Sequence, residues 1–310
     1  MSPLIGAVDW GGTWIRVALL DGEHIVQRER CPRPDTLAAQ YAAVAGLLRQ
    51  CATAAGRDPA VIGVGIAGIV QGDTVVSAIN LGIRAPARVA AELRDRLPCD
   101  VYLVNDSQAA AAALVGRWPE GLTAVITVGT GVGGAVLDRG RLVGGRGAAG
   151  DFGHSVVEAN GLRCACGGRG CLEMYVSGRA LAEAAETLAD SGRSALLLRR
   201  RRSAGALDAG DLHDAVRAGE AEASVVLNRA AWYFAVGIRN VVAHLDPVRV
   251  ALAGIMLGPD TPFGAALRDA WDSLRPAWCG LVLDHVAEDS DATLTGAALI
   301  ATQRHHIGAP

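Results

Sequence analysis

The chain of 310 residues contains no lysine, so its 29 basic side chains are all arginines. The absence of lysine excludes a Walker-type phosphate-binding lysine, a Schiff-base lysine and a lysine general base. The sequence also lacks a run of about 18 apolar residues, the length that a membrane span needs. Near its start it has no basic segment followed by a long apolar one, as a signal peptide has. We therefore expect a cytoplasmic protein without membrane contacts.

The charges of the chain nearly cancel and leave a formal net charge of −3. Such a balance provides no overall attraction to nucleic acid. With 51% apolar residues the composition is typical of a globular protein, and the length exceeds that of one ordinary hydrophobic core. We therefore expect two lobes and no nucleic-acid partner.

The pattern of apolar residues repeats in the two halves of the chain. Residues 4–30 predict three antiparallel strands, and the following segments alternate between predicted strands and helices. Residues 122–144 predict a second set of three strands, as expected of a duplicated α/β domain. We predict an N-terminal α/β lobe of residues 1–115, completed by a final helix at about 292–304, and a C-terminal α/β lobe of residues 116–291.

Three of the seven cysteines lie close to a histidine within the segment 150–173. The spacing H-x9-C-x-C-x4-C brings together four side chains that Zn²⁺ binds tetrahedrally: His154, Cys164, Cys166 and Cys171. Four protein ligands close the metal's coordination shell, which indicates a structural zinc rather than a catalytic one. Free thiols in a flexible loop are the alternative. We expect a zinc loop over residues 154–171.

The predicted zinc site has a second consequence for the residues around it. An imidazole that binds zinc through one nitrogen usually offers the other to a hydrogen-bond acceptor. A substrate hydroxyl can be that acceptor, and the carboxylates of Asp151 and Glu173 flank the cluster. The pattern favours a polyol pocket with the metal in its wall. Solvated surface positions are the alternative for both carboxylates.

Two glycine-rich turns, DWGGT (residues 9–13) and GTGVGG (residues 129–134), each lie between two predicted strands. Glycine lets backbone N–H groups approach phosphate oxygens without a Cβ in the way. Thr13 and Thr130 add hydroxyl donors, and Asp9 can hold Mg²⁺ directly or through water. One such turn alone is often an ordinary hairpin. Two at corresponding places indicate a nucleotide held between the lobes.

Other motifs have a less specific interpretation. The segment GVGIAG, residues 63–68, matches G-x-G-x-x-G, but a β-like segment follows it where a dinucleotide site needs a helix. Asp106 follows Asn105 at the end of a predicted buried strand, where it can cap the next helix or act as a general base. We favour the base. We predict one helix over 211–244 and a loop or helix end over 191–210, and we expect the arginines within that segment to be solvated.

At these motifs the chain resembles the ROK family of sugar kinases and sugar-responsive repressors. The resemblance covers nearly the whole chain, and its most specific parts are the segments GDFGH and CACGGRGCLE. It implies a two-lobe, actin-like and ribonuclease H-like α/β fold with a zinc loop near the sugar. It also implies ATP and Mg²⁺ as co-substrates, and often a homodimer.

The resemblance assigns roles to residues by position. The first phosphate loop would be formed by Asp9, Gly11, Gly12 and Thr13. The second would be formed by Thr130, Gly131 and Gly133, with Gly254 near the adenosine. Contacts to the sugar would come from Asn80, Asn105, Asp106, Asp151, His154 and Glu173, with Asp106 as the base.

The chain departs from the family pattern around the sugar. Asp151 stands where the family motif E-x-G-H has glutamate, which sets the carboxylate back by about 1.5 Å, one C–C bond. The segment LGIR follows Asn80, where family glucokinases often have a tryptophan nearby, and Trp10 follows Asp9. We therefore expect phosphorylation of the 6-hydroxyl of glucose, or of an amino-glucose such as kanosamine in an antibiotic pathway.

Two alternatives belong to other functional classes. Family repressors carry a DNA-binding domain ahead of the sugar-binding part, and we expect none here because the first phosphate turn begins at Asp9. A non-catalytic sugar sensor would keep the sugar pocket but lose the phosphate turns or the base. Both features are present, so a kinase remains the main expectation.

Overall fold

The computed structural model describes residues 2–78, 81–287 and 289–307. The chain forms two compact units. Unit 1 comprises Met1–Glu120, Val136–Ala149 and Asp289–Pro310, and unit 2 comprises Gly121–Ala135 and Gly150–Glu288. Residues 136–149, which we assigned to the C-terminal lobe, thus pack with unit 1.

Unit 1 contains a mixed sheet in the order β3-β2-β1-β4-β7. Its strands are β1 (Leu4–Trp10), β2 (Trp14–Asp21), β3 (His24–Pro32), β4 (Pro59–Ile66) and β7 (Asp100–Asn105). The first three are antiparallel, whereas β4 and β7 run parallel to β1. A small hairpin of β5 (Ile69–Gln71) and β6 (Thr74–Ser77) follows β4. Parallel strands end at the same edge of a sheet, so β1 and β7 present their last residues together.

The helices of unit 1 are α1 (Leu37–Ala55), α2 (Val89–Arg94), α3 (Asp106–Ala112) and α10 (Ala292–Ile307). Alternation along β1 sends its odd residues toward α10 and its even residues into the core that includes α1. Thus Ala7 packs near Leu294 of α10, and Val8 packs in the core with Val44 of α1. Helix α10 runs three residues beyond the predicted end at 304.

Glycines allow α10 to lie directly on the sheet and on α3. A Cβ on Gly63 of β4 would lie 2.0 Å from the carbonyl oxygen of Ala297. A Cβ on Gly296 would lie 1.7 Å from the carbonyl oxygen of Ala109. Both distances are far below van der Waals contact, so larger residues would force the elements apart.

The second sheet has the strand order β10-β9-β8-β11-β12. Its strands are β8 (Leu122–Val128), β9 (Val132–Asp138), β10 (Arg141–Leu142), β11 (Arg249–Ala253) and β12 (Val282–Val286). The boundary between the units crosses β9, so β10 belongs to unit 1 and the other strands of this sheet lie wholly or partly in unit 2. The helices are α4 (Glu173–Val176), α5 (Gly178–Asp190), α6 (Ala195–Ala204), α7 (Ala209–Arg217), α8 (Ala221–Leu245) and α9 (Pro262–Leu274). Side chains of α8 such as Phe234 and Ile238 fill the core of this unit.

Two predictions for unit 2 were wrong in detail. The helix predicted over 211–244 is two helices, α7 and α8, because Gly219 adopts a positive φ of 82° between them. The segment predicted as a loop or helix end contains a separate helix, α6, which begins at the Ser194 cap. Within α6, Arg200 pairs with Asp211 and Asp214, so that part of the arginine run is held by α7. Over the described residues, no helix is both long enough and apolar enough to cross a membrane.

Candidate phosphate, sugar and metal sites

The first glycine turn connects β1 to β2 and is tightly closed. The strand register pairs Trp10 with Ile15, and the N–H of Gly11 donates to the carbonyl of Trp14 at 3.0 Å. On the other side, the Arg33 guanidinium donates to the carbonyl of Gly12 at 2.6 Å. Gly12 and Thr13 are exposed, so the backbone of this turn is accessible to a ligand.

Asp9 lies at the end of β1, directly before this turn. Its side chain is buried, and its Oδ2 accepts a hydrogen bond from the Nε of Arg16 at 2.7 Å. Burial raises the pKa of Asp9 above its ordinary value, and the charge of Arg16 opposes that rise. The turn therefore has a buried carboxylate at its base that an arginine neutralises.

Asn105 and Asp106 occupy the corresponding end of β7, where α3 begins. Asn105 is the N-cap of α3, because its Oδ1 accepts a hydrogen bond from the N–H of Gln108 at 3.0 Å. Its Nδ2 donates to the carbonyl of Gly68 at 3.0 Å, which fixes the orientation of the side chain. Asp106 is therefore not needed as the cap. Its carboxylate accepts from the N–H of Ser107 at 2.8 Å. Burial raises the pKa of Asp106 to about 6, and the charge of Asp9 adds to the rise.

The carboxylates of Asp9 and Asp106 lie at the same edge of the unit 1 sheet. Asp9 pairs with Gly65 of β4, and Asn105 pairs with Ile66 of the same strand. Neighbouring strands are about 4.8 Å apart, so the backbones of β1 and β7 are separated by roughly 10 Å at this edge. That space suits a phosphoryl group and a hydroxyl between the two carboxylates. Asn80, the other residue predicted to contact the sugar from this part of the chain, lies outside the described residues.

The second glycine turn, between β8 and β9, is held by Glu173. The N–H of Val132 donates to the Oε2 of Glu173 at 3.0 Å. A Cβ on Gly131 would lie 2.5 Å from the same oxygen, so a larger residue there would displace the Glu173 carboxylate from the turn. Arg179 contacts the other carboxylate oxygen of Glu173 at 3.3 Å. Glu173, predicted as a sugar contact, thus also supports the turn that contains Thr130.

Gly254 lies at the same end of the unit 2 sheet. It follows β11 with a φ of 149°, and a Cβ there would lie 2.3 Å from the carbonyl oxygen of Val128, the last residue of β8. The predicted nucleotide residues of this unit therefore share one sheet edge. Gly133 lies just beyond, within β9.

The predicted zinc ligands come together in the folded chain. The donor atoms of His154, Cys164, Cys166 and Cys171 all lie within 4.8 Å of one another. The Sγ of Cys164 is 3.6 Å from the Nδ1 of His154, and the sulfurs of Cys166 and Cys171 are 3.6 Å apart. A tetrahedral zinc with ordinary Zn–S and Zn–N bonds needs ligand separations of about 3.6–3.8 Å. The four side chains therefore fit a closed zinc site.

Asp151 lies beside this cluster and responds to it electrostatically. Burial raises the pKa of its carboxyl group. The charge of His154 opposes the rise and the charge of Glu173 adds to it. Asp151, His154 and Glu173, three of the predicted sugar contacts, are therefore close enough to influence one another.

Two arginines at the first glycine turn were not predicted from the sequence. Arg16 lies opposite Asp9 in the β1–β2 register, and Arg33 follows β3. The signal for Arg16 was the length of the turn, because three residues between two strands place Asp9 and Arg16 as cross-strand partners. No comparable signal marked Arg33.

A family model described as the ROK family matches residues 5–304. The chain belongs to the ROK family. It is 36% identical over 192 residues to a glucokinase of Streptomyces coelicolor, with 59% of each chain covered. It is 33% identical over 308 residues to an N-acetylmannosamine kinase of Salmonella paratyphi B, which covers 95% of this chain and 97% of that one.

Solved structures support the same family assignment. A ROK family glucokinase from Streptomyces griseus in complex with glucose and AMPPNP superimposes with a TM-score of 0.82 at 28% identity, covering 97% of this chain and 99% of that one. The predicted two-lobe, actin-like α/β fold of a ROK protein is thereby confirmed.

Proposed function

We propose that this ROK protein is an ATP-dependent sugar kinase that phosphorylates the 6-hydroxyl of a glucose-like hexose. The observation that carries the proposal is the position of Asp106, which lies at the same edge of the unit 1 sheet as Asp9 and the first glycine turn. Its pKa of about 6 leaves it ionised at neutral pH yet basic enough to take a proton. The glucokinase and N-acetylmannosamine kinase relatives support the same reaction class.

In the proposed reaction, the 6-hydroxyl oxygen attacks the γ-phosphorus of ATP while its proton passes to the carboxylate of Asp106. The bond between the γ-phosphorus and the bridging oxygen breaks, and ADP leaves with that oxygen. Such transfers depend mainly on positioning and on neutralising charge. The N–H groups of the two glycine turns would hold the phosphates, with Thr13 and Thr130 as hydroxyl donors and Gly254 near the adenosine.

Mg²⁺ fits the donor set at the first turn, where a buried carboxylate offers the oxygen ligands that this ion prefers. Asp9 would hold it directly or through water. When bound, the ion supplies positive charge beside the β- and γ-phosphates.

Zinc has a structural place in the proposal, and no chemical step passes through it. His154, Cys164, Cys166 and Cys171 would hold the ion, and the ring of His154 would keep its other nitrogen for a sugar hydroxyl. The zinc loop would thereby fix one wall of the sugar pocket.

Six side chains would contact the hexose: Asn80, Asn105, Asp106, Asp151, His154 and Glu173. Because Asp151 is shorter by one methylene than the glutamate of the family motif, a hexose with an altered substituent fits the proposal as well as glucose does. The amino group of an amino-glucose such as kanosamine, made in antibiotic pathways, would meet the carboxylates of Asp151 and Glu173 there.

A release assay for ADP across glucose, mannose, N-acetylglucosamine, N-acetylmannosamine, glucosamine and kanosamine tests the proposal, with Asp106→Asn as the inactive control. In a parallel series inorganic polyphosphate replaces ATP, and the sugar phosphate is measured directly because this donor releases no ADP. Turnover of one sugar that Asp106→Asn abolishes supports the kinase. Tight sugar binding without turnover would favour a sensor or a repressor-type protein. A homodimer and a cytoplasmic location remain predictions, and light scattering at micromolar concentration tests the dimer.

A further inference from the structure

A cavity of about 320 Å³ lies within unit 1. Its walls come from the β5–β6 hairpin, β7, α3, the turn at residues 144–147 and the last turn of α10. The volume is at the lower end of the range of about 300–1,000 Å³ that small-molecule pockets have. Of the described residues that line it, none is predicted to bind nucleotide, sugar or zinc. A ligand in this cavity would therefore be separate from those sites.

Two arginines give the cavity a positive charge. Arg146 is exposed in the turn 144–147, and Arg304 lies in the last turn of α10. No aspartate or glutamate is among the described residues that line the cavity, and neither arginine has an ion-pair partner in the part of the chain that the structure describes. A cation at the end of a helix stabilises the helix dipole, which accounts for Arg304. That effect does not extend to Arg146, which belongs to no helix.

The guanidinium of Arg304 is held at the free edge of β7. This strand is the last in the order of its sheet, so its outer carbonyl groups have no strand partner. The NH1 of Arg304 donates to the carbonyl of Leu103 at 3.2 Å. Arg94 donates to the carbonyl of Val101 at 2.8 Å and also binds both carboxylate oxygens of Asp73. Because Arg94 takes this carboxylate, Arg304 keeps its charge and its other N–H donors for a ligand.

Arg146 stands in a turn that glycines hold close to the hairpin. The N–H of Gly147 donates to the carbonyl of Gly144 at 2.8 Å, which closes the turn. Gly147 has a φ of 97°, and a Cβ there would lie 1.8 Å from the carbonyl oxygen of Val70 in β5. The backbone beside Arg146 therefore lies directly on the β5–β6 hairpin, and the packing fixes where its side chain starts.

The rest of the lining is neutral. Gln108 of α3 is buried, and its Nε2 donates to the carbonyl of Ala149 at 3.1 Å, so its amide is fixed at the cavity wall. Apolar surface comes from Val70, Leu103 and Leu142. The cavity thus combines two cations with a neutral surface that is partly apolar.

We propose that this cavity binds a small phosphate monoester, with Arg146 and Arg304 on its phosphate group. Two guanidinium groups without a carboxylate balance about two negative charges, which is close to the charge of a phosphate monoester at neutral pH. Each planar guanidinium donates parallel hydrogen bonds to phosphate oxygens. The alcohol part of the ester would lie against Gln108 and the apolar side chains. This inference does not rest on the proposed kinase function, because the cavity is lined by other residues.

Calorimetric titration of the full chain with glycerol 3-phosphate tests the proposal, because this monoester has no hexose ring to enter a sugar site. Arg146→Ala should weaken its binding by about 10-fold or more, as for lost hydrogen bonds between charged groups. The matched control is Arg141→Ala on β10, where the arginine is exposed and is not part of the lining. This control should change the affinity by no more than about twofold.

Arg304→Gln removes the second cation and should weaken binding to a similar extent, so it tests the site even if Arg146→Ala does not fold. Equal affinities of the parent and both variants would overturn the inference, as would the absence of saturable binding to the parent. Inorganic phosphate and malonate are titrated alongside, and if either binds as tightly as glycerol 3-phosphate, the assignment to a phosphate monoester is wrong. The expected binding pattern in a protein that phosphorylates no sugar would overturn the kinase proposal and leave this site standing.

Discussion

Replacing Asp106 by asparagine should make the protein more stable and inactive at once. The pKa of Asp106 is about 6 in the folded chain against 3.8 for an unperturbed carboxyl, mainly because of burial. A folded pKa raised above the unfolded value means that the stability contribution of this group is present below pH 3.8 and is lost as the pH rises through 6. The difference of roughly 2 pKa units corresponds to about 3 kcal/mol at pH 7.

Asparagine removes this cost and keeps the Oδ1 acceptor that receives the N–H of Ser107. We expect Asp106→Asn to be more stable at pH 7 by up to about 3 kcal/mol, a rise of roughly 5–10 °C in the unfolding midpoint. Most of that gain should disappear at about pH 4, where the folded carboxyl is already protonated. The same variant should lose a factor of about 100 or more in kcat. In the parent, kcat/KM should fall as the pH drops below about 6.

Thermal unfolding at several pH values, combined with the ADP-release assay, measures both effects. Asp73→Asn is the control of opposite sign, because hydrogen bonds from Arg94 lower the pKa of Asp73. Its loss should make the protein less stable at pH 7. If Asp106→Asn is no more stable than the parent at neutral pH, burial does not raise the pKa of this carboxyl. Activity within about tenfold of the parent would exclude Asp106 as the base.

Three further predictions concern other parts of the chain. Burial lowers the pKa of His213, and its Nε2 has no hydrogen-bond partner among the described residues. The parent should therefore lose stability as the pH falls below about 6.5. In thermal unfolding measured between pH 7 and 5, His213→Leu should flatten that decline. Metal analysis should find about one zinc per chain in the parent and in Cys31→Ser but well below that in Cys166→Ser, and a zinc-free parent would contradict the metal site. Gly296→Ala should destabilise the protein because its Cβ would lie 1.7 Å from a carbonyl oxygen. Gly46→Ala, in the open part of α1, should instead stabilise the protein by up to about 1 kcal/mol. Equal unfolding midpoints for the two variants would show that α10 does not pack closely on α3.

Local patterns predicted most of the secondary structure because the driving interactions are near in sequence. The segment LIGAVDW, a glycine turn and WIRVALL alternate strongly enough to predict a hairpin, and the structure has it as β1 and β2. Strand β12 was missed, because VLDHV contains two polar side chains and lies at a sheet edge, where half-exposed positions weaken the pattern. Residues 191–210 were predicted only as a loop or helix end, and α6 was not recognised as a separate helix because the charges of its arginine run are balanced by acidic residues on α5 and α7.

The zinc ligands could be predicted because their residue types are rare and specific. Histidine and three cysteines at H-x9-C-x-C-x4-C have few other uses in one short loop, and the donor atoms do converge. The glycine turns were also recognisable, since a close backbone approach such as that of Gly134, whose Cβ would lie 2.5 Å from the carbonyl oxygen of Val125, leaves no room for a side chain. In both cases the required chemistry leaves a mark in the residue types themselves.

Ligand types, glycine turns and the alternation of β1 were thus readable from the amino acids alone. Only tertiary structure decided that residues 136–149 pack with unit 1, that Glu173 supports the second glycine turn, and that burial moves the pKa of Asp106 to about 6. A residue's type fixes which bonds it can make. Its partners, its distance from water and hence its proton affinity depend on elements that are remote in sequence, and packing alone brings those together.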